Sequence, residues 1–245
     1  MDPSEYTKLA EVESRHWFYR GKRDLVRFWI KRLKGDLNDR LVLDLGAGTG
    51  LLISELNHKG ARAYGIDCAQ DSLKMACRRN PHQMVCGSLE RLPVRSAAFD
   101  VVTALDVLEH IQQDGETFHE IARVVRPQGL ILMQVPAFRF LWSDWDVSLH
   151  HVRRYRRNEL VALANSCGLE TVYCSYTNTL LFPAILVYRL LRRWFPFLKE
   201  NRLEDRVPPA WLNHLLHAIF VVPATQPWFH SPFGVSLFAV FRKLA

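Results

Sequence analysis

Apolar residues along the chain follow two spacings. Leu41–Leu45, Ala61–Asp67 and Phe99–Ala104 are short, nearly continuous apolar runs, the pattern of strands buried on both faces. Gly50–Lys59, Asp71–Arg79 and Gly115–Val125 instead place apolar residues at helical steps between polar ones, as amphipathic helices do. A brief strand at Met84–Cys86, a fifth at Gly129–Val135, a helix at Arg157–Cys167 stopped by Gly168 and a strand at Glu170–Tyr176 continue the alternation. Such alternation predicts an α/β fold, a parallel sheet with helices on both faces. Before it, Tyr6–Lys34 reads as one or two helices with Trp17-Phe18-Tyr19 and a basic face of Arg20, Lys22, Arg23 and Arg27; after it, the β-branched and aromatic stretch Gly234–Arg242 predicts a final strand.

The first apolar run leads straight into Asp44-Leu45-Gly46-Ala47-Gly48-Thr49-Gly50, and seventeen residues beyond Gly50 the second run ends on an acid, Asp67. Glycines after a buried strand let a ligand approach the backbone closely, and a carboxylate can accept from both hydroxyls of a ribose. A dinucleotide fingerprint needs G-x-G-x-x-G, but Leu51 stands at its third glycine position. Asp44 is also poorly placed for a pyrophosphate and suits a ligand with an ammonium group. With its D-x-G-x-G-x-G form, the chain resembles the class I S-adenosylmethionine (SAM)-dependent methyltransferases. The resemblance implies a Rossmann-like, mostly parallel sheet of about seven strands. It assigns Asp44, Gly46, Ala47, Gly48 and Gly50 to the methionyl part of SAM and Asp67 to its ribose.

Phe99–His110 resembles the family's fourth-strand motif, which brings Leu105 and Asp106 to the pocket, because ligands of open α/β sheets gather beyond the carboxyl ends of the strands. His110 reads first as a buried histidine satisfied by a backbone partner. The third-strand exit, Gly87-Ser88-Leu89, carries a serine where relatives usually have an acid for the adenine amino group; Ser88, the Leu89 amide and Cys68 complete the expected donor pocket. After the fifth strand, Trp142–Tyr155 is expected as a loop bearing His150, His151, Arg153, Arg154 and Tyr155. Together with Glu13–Phe18 and Pro232–Leu237, it resembles a bacterial methyltransferase subgroup with an aromatic N-terminal box, an H-x-R-R-Y loop and a hydrophobic C-terminal insertion. That resemblance makes His151 a general base, Arg154 an anion contact, Tyr155 a third catalytic residue and Trp17 part of a lid over SAM. The alternatives are that Trp17 and Phe18 pack a helix on the sheet and that the arginines form a solvated run.

Composition narrows the partners. The 245 residues carry a formal charge of +7 and a pI near 9.3, which favours anionic partners. The arginines nevertheless alternate with bulky aliphatics and no nucleic-acid module is recognisable, so nucleic acid is not expected. Five cysteines, Cys68, Cys77, Cys86, Cys167 and Cys174, show neither a C-x-x-C pair nor a disulfide framework. No metal site is expected from them, and a reducing cytoplasm is. The opening Met1-Asp2-Pro3-Ser4-Glu5 lacks the features of a signal peptide.

The chain is therefore expected as one methyltransferase domain, 1–245. It divides into a helical cap (1–36), a SAM-binding core (37–178), an apolar helical insertion (179–230) and a last strand (231–245). Within the insertion, the apolar core Leu180–Tyr188 is far shorter than the ~20 residues of a membrane-spanning helix. Segments 180–198 and 211–223 carry basic flanks and Trp194, Trp211 and Trp228, which can anchor helices in a membrane interface. Three uses stay open: peripheral contact with the inner face of a membrane, a lid or core element, and a homodimer interface. The acceptor is expected to be a small molecule, or a lipid or lipid-linked sugar under the membrane reading.

Overall fold

The computed structural model describes residues 3–194 and 206–244. Two helices, α1 (Pro3–Val12) and α2 (Trp17–Lys34), precede β1 (Leu41–Leu45), α3 (Leu51–Asn57), β2 (Arg62–Asp67), α4 (Gln70–Arg79), β3 (Met84–Cys86) and β4 (Phe99–Leu105). There follow α5 (Asp114–Val124), β5 (Val125–Pro136), α6 (Asp144–Ser148), α7 (Arg157–Ser166), β6 (Leu169–Thr177), α8 (Phe182–Trp194), α9 (Ala210–Ala224) and β7 (Ser236–Lys243). The seven strands form one sheet in the order β3-β2-β1-β4-β5-β7-β6. β1 to β5 pair in parallel, and β7 enters antiparallel between β5 and β6. The Rossmann-like expectation is met. The strand order reverses between β1 and β4, which opens a crevice beyond their carboxyl ends.

Each face of the sheet is sealed by its own apolar cluster. One joins Val42, Val101 and Leu132 to Leu25, Trp29 and Ile30 of α2 and Phe220 and Ala224 of α9; the other joins Leu43, Val102 and Ile131 to Phe118 and Ile121 of α5 and Leu160 of α7. Strand residues alternate between the two sets because successive side chains point to opposite faces.

Helix α2 fixes the site from one side. Its first turn is capped by His16, whose Nδ1 accepts from the Phe18 amide at 3.3 Å. Burial and the nearby Lys22 lower the His16 pKa to about 4, so the ring is neutral and can accept. Helix α9 lies against α2 at Gly21, where a Cβ would meet the Phe220 ring at 2.4 Å. Buried Asn213 of α9 then ties the helices together, accepting from the Trp17 amide at 2.8 Å and donating to the Arg15 carbonyl at 2.9 Å. Trp29 Nε1 donates to the Ala224 carbonyl at the far end of α9.

The insertion is thus partly a core element. Its inner face is packed, while Trp211, Leu215 and Val222 on α9 and Val187, Leu190 and Leu191 on α8 are exposed. Among the described residues no helix is long and apolar enough to cross a membrane. Residues 195–198 of the expected membrane segment, and the Trp194 side chain, lie outside what is described. The stretch expected as a loop after β5 contains α6, begun by a Ser143/Asp146 capping box; the sequence signal, Ser-x-x-Asp, was there but short.

Replacing Asn213 with Ala removes two bonds and leaves their partners under-satisfied, at a cost of about 2 kcal/mol. The unfolding midpoint is expected to drop by about 4–8 °C in a calorimetric scan. An unchanged midpoint would show that α9 is not fastened to α2 in this way.

Candidate active site

The glycine turn is shaped by β2. The Gly46 and Ala47 amides both donate to the Ile66 carbonyl, at 2.9 and 3.2 Å. The Gly48 amide donates to Asp67 Oδ2 at 2.8 Å, and Asp67 Oδ1 accepts from the Ala69 amide, also at 2.8 Å. The Gly46, Ala47 and Gly48 amides are therefore committed within the protein. What the glycines offer a ligand is bare backbone: Gly48 has a φ of +54°, and a Cβ built there meets nothing nearer than the Gly46 carbonyl at 4.0 Å. A carboxylate has about four lone-pair sites, and Asp67 uses two on these amides, so it retains the capacity to accept from a diol.

Asp44 is buried at the end of β1, with Oδ1 accepting from the Thr103 hydroxyl at 2.6 Å. Burial pushes its carboxyl up to about 7, opposed by the Thr103 bond and by Lys22 and reinforced by the charge of Asp67. A cation arriving beside it would favour the ionised form. Across the crevice, Asp106 has a φ of +56°, a strained conformation for a non-glycine residue. Its carboxylate accepts from Lys22 Nζ at 2.5 Å and from Gln134 Nε2 at 3.2 Å. The Lys22 ammonium also lies 5.0 Å from the ring centroids of both Phe18 and Tyr19. Lys22 was read only as part of a basic face; a lysine on the apolar side of an amphipathic helix was the available signal.

Helix α1 packs against α4, beside the β2 end of the crevice. Tyr6 reaches the Asp67 side, its hydroxyl bonding to Ser72 and its pKa raised to about 12, first by burial and then by the charge of Asp67. Buried Glu13 accepts from the Thr49 hydroxyl at 2.6 Å and from Arg79 Nη1 at 2.9 Å. Neither residue was singled out from the sequence for this role. Both sit in the polar opening stretch, and long-range partners are invisible there.

Beyond β5 lies a second polar cluster. Asp146 is fully buried and takes a two-pronged bond from Arg154, Nε to Oδ1 at 2.7 Å and Nη2 to Oδ2 at 3.0 Å, while Arg154 Nη1 donates to the Ala137 carbonyl. His151 Nδ1 is 2.9 Å from Asp146 Oδ1. Burial alone would raise the Asp146 pKa, but the bonds from His151 and Arg154 outweigh it and hold the carboxyl well below its usual range. An ionised carboxylate only accepts, so Nδ1 carries the proton and Nε2 the lone pair in the neutral ring. Nε2 faces Glu109 Oε1 at 3.9 Å, and the His110 ring stands edge-on to His151 at 4.8 Å. Glu109 is buried, neither of its carboxyl oxygens has a hydrogen-bond partner, and burial followed by the charge of Asp106 raises its pKa. One ligand atom each from Glu109, His110 and His151 lies within 4.8 Å of the others, so these are the described residues that could hold a metal ion, although the cysteine reading gave no reason to expect one.

The remaining expected residues divide. Arg154, expected to meet an anion, has its guanidinium spent on Asp146 and Ala137, and Tyr155 is buried with its hydroxyl donating to Asp114 at 2.9 Å. Both brace the cluster from within. Arg153 donates to the Gln112 carbonyl. Trp17 packs edge-on against Phe220 of α9 at 6.0 Å, the helix-packing alternative. Ser88 and Cys68 are exposed at the rim, Leu89 and Leu105 are partly buried beside it, and Ser88 Oγ bonds to Glu90.

Residues 43–133 match the model of a methyltransferase domain. A ubiquinone biosynthesis O-methyltransferase from Idiomarina loihiensis is 34% identical over 200 residues, spanning 70% of this chain and 82% of that protein. One of the same name from Bordetella avium is 27% identical over 69% of this chain and 81% of its own length. Among solved structures, a SAM-dependent methyltransferase from Thermotoga maritima superimposes with a TM-score of 0.61 at 15% identity, over 98% of this chain and 95% of that one. The [4+2]-cyclase SpnF superimposes with a TM-score of 0.59 at 19% identity, over 91% and 81%. These two show the shared fold.

Asp146→Asn weakens the pairing of buried Arg154 and is expected to cost about 3–5 kcal/mol, read as a lower urea midpoint; a loss under 1 kcal/mol would contradict the cluster's bracing role. Asp44 gives a pH signature of opposite sense. Folding raises its pKa from 3.8 to about 7, so its contribution to stability is full below pH 3.8 and is lost as pH rises to about 7. Asp44→Asn keeps the acceptor for Thr103 and should gain on the wild type across that interval. Parallel stability curves for the two proteins would refute the raised pKa.

Proposed function

Because the chain belongs to the class I SAM-dependent methyltransferases, we propose that it methylates a hydroxyl group on a small apolar acceptor delivered from a membrane surface. The observation that carries the chemistry is the Asp146–His151 pair beyond β5, on the same rim as Asp44, Asp67 and Asp106. SAM supplies an already activated methyl group when bound, so the protein's tasks are to align the acceptor and take its proton.

The residues fit that donor. Asp67 has lone pairs left for the ribose hydroxyls, the bare Gly48 ledge leaves room beside it, and Asp44 is a buried carboxyl whose ionised form a neighbouring ammonium stabilises. Lys22, held by Asp106, would face the methionyl carboxylate. His151 is the base: Asp146 fixes its Nδ1–H, and Nε2 is the atom that accepts the proton. Arg154 and Tyr155 hold the loop that presents it. Positioning of this kind can contribute about 7–11 kcal/mol in favourable model reactions.

Oxygen as the methylated atom is supported by the O-methyltransferase relatives and by a base that nitrogen nucleophiles would not need when neutral. The apolar, membrane-surface acceptor is supported by the exposed Trp211, Leu215, Val222 and Trp228 and by the basic balance of the chain. Five free cysteines accord with a reducing, cytoplasmic side.

His151→Ala should lower turnover about 100-fold or more while SAM affinity by calorimetry stays within about threefold; a comparable loss of SAM binding would make His151 a pocket residue. Asp67→Asn retains one accepting oxygen for the glycine turn, yet should weaken SAM at least about tenfold, as expected for one lost charge-assisted bond. Unchanged affinity would remove the ribose assignment. The acceptor class is tested by incubating the protein with methyl-labelled SAM and separate lipid, soluble and protein fractions. Label entering extractable lipid supports the reading, and label confined to the soluble fraction overturns the membrane-derived acceptor.

A further inference from the structure

The Glu109 carboxyl is the anomaly of the polar cluster beyond β5. It is 1% exposed, and among the described residues neither of its oxygens has a hydrogen-bond partner. A buried carboxylate is ordinarily paired or bound to a metal, yet the cations nearby are engaged elsewhere, Arg154 on Asp146 and the Ala137 carbonyl and Lys22 on Asp106. What faces Glu109 is imidazole. His151 Nε2 lies 3.9 Å from Oε1, and the His110 ring stands edge-on to His151 at 4.8 Å. The backbone holds these groups face to face: the Val152 amide donates to the Glu109 carbonyl at 2.7 Å, and the His151 amide donates to the Asp146 carbonyl at 2.8 Å. Asp146 Oδ1 takes the His151 Nδ1–H at 2.9 Å. Metal-ligating histidines are oriented in just this way, by a carboxylate on the other ring nitrogen.

We propose that Glu109, His110 and His151 form a site for a zinc-class divalent cation, and that filling it switches methyl transfer off by occupying Nε2 of His151. The second half rests on the reading of His151 as the base. One ligand atom from each residue lies within 4.8 Å of the others, and donor atoms on a tetrahedral zinc ion stand about 3.3–3.4 Å apart, so small side-chain rotations complete the site. An ion stripped of its water is held among its ligands and needs no water-sized hollow; His110, which is partly exposed, gives it a way in. Two nitrogens and one carboxylate oxygen suit zinc, which uses such a set with a fourth position open, whereas magnesium and calcium take oxygen ligands. A metal on Nε2 holds the lone pair that would take the acceptor's proton. Its departure restores the base.

Chelator-treated full-length protein, titrated with Co²⁺ as a coloured stand-in for zinc, should develop the visible spectrum of a nitrogen- and oxygen-ligated ion, saturating at one ion per chain. Zn²⁺ should erase that spectrum and an excess of Mg²⁺ should not. Glu109→Gln keeps the shape of the side chain, and His110→Asn removes one imidazole; each should weaken Co²⁺ at least about tenfold, while a SAM-induced rise in the unfolding midpoint shows that the variant is folded. In the wild type, saturating Zn²⁺ should lower turnover at least about tenfold and leave SAM affinity within about threefold. In both variants, measured against their own metal-free rates, inhibition should need correspondingly more zinc. No cobalt spectrum, thiolate-type absorption placing the ion on a cysteine, displacement by Mg²⁺, cobalt affinity unchanged in both variants, or full turnover of the zinc-loaded protein would each overturn the proposal. Failure of the base reading shows separately, as undiminished metal-free turnover in His151→Ala.

Discussion

The Asp67 carboxylate is the joint on which the active-site architecture turns. By accepting from the Gly48 and Ala69 amides, it fastens the glycine turn after β1 to the start of α4 and closes the crevice at the point where the strand order reverses. Two accepted bonds leave the same carboxylate with spare acceptor capacity. A single side chain thus shapes the turn, and the proposed ribose contact falls to that same side chain. Asp44 and Asp106 stand at the ends of the two strands flanking the reversal, so three carboxyl groups converge on one rim.

That rim needs restraint, because clustered carboxylates repel one another and burial penalises each of them. The helical cap supplies Lys22 against Asp106, while its own Glu13 is held by Arg79 of α4 and by the Thr49 hydroxyl. The cap is therefore electrostatically part of the site, and α9 holds it in place through Asn213 and Phe220. A segment that looks like an appendage in the chain order is structurally the back of the catalytic crevice.

Much of this was legible in the sequence, and the remainder was not for identifiable reasons. The strands and the glycine motif declare themselves locally, since buried parallel strands are apolar runs and the turn needs positive φ at fixed offsets. Asp44 stands out through the glycine motif it opens, Asp67 because it ends an apolar run, and Asp106 through the fourth-strand motif. Arg154 and Tyr155 were found as a pattern but given the wrong surroundings: sequence does not show that Asp146, eight residues before Arg154, is buried and absorbs its charge. Glu109 and Lys22 escaped a functional reading because their environment is assembled from separate elements. Fold alone does not decide the chemistry, as a cyclase sharing this architecture illustrates; the three acids at the strand ends and the Asp146–His151 pair are what the proposed chemistry rests on.

The most direct test is a crystal structure of the protein with SAM bound. The account predicts the ribose hydroxyls within hydrogen-bond distance of Asp67, the methionyl ammonium beside Asp44, and the methyl group directed toward the rim that carries His151. A donor lying elsewhere, or a methyl group pointing away from the β4–β5 side of the crevice, would contradict it.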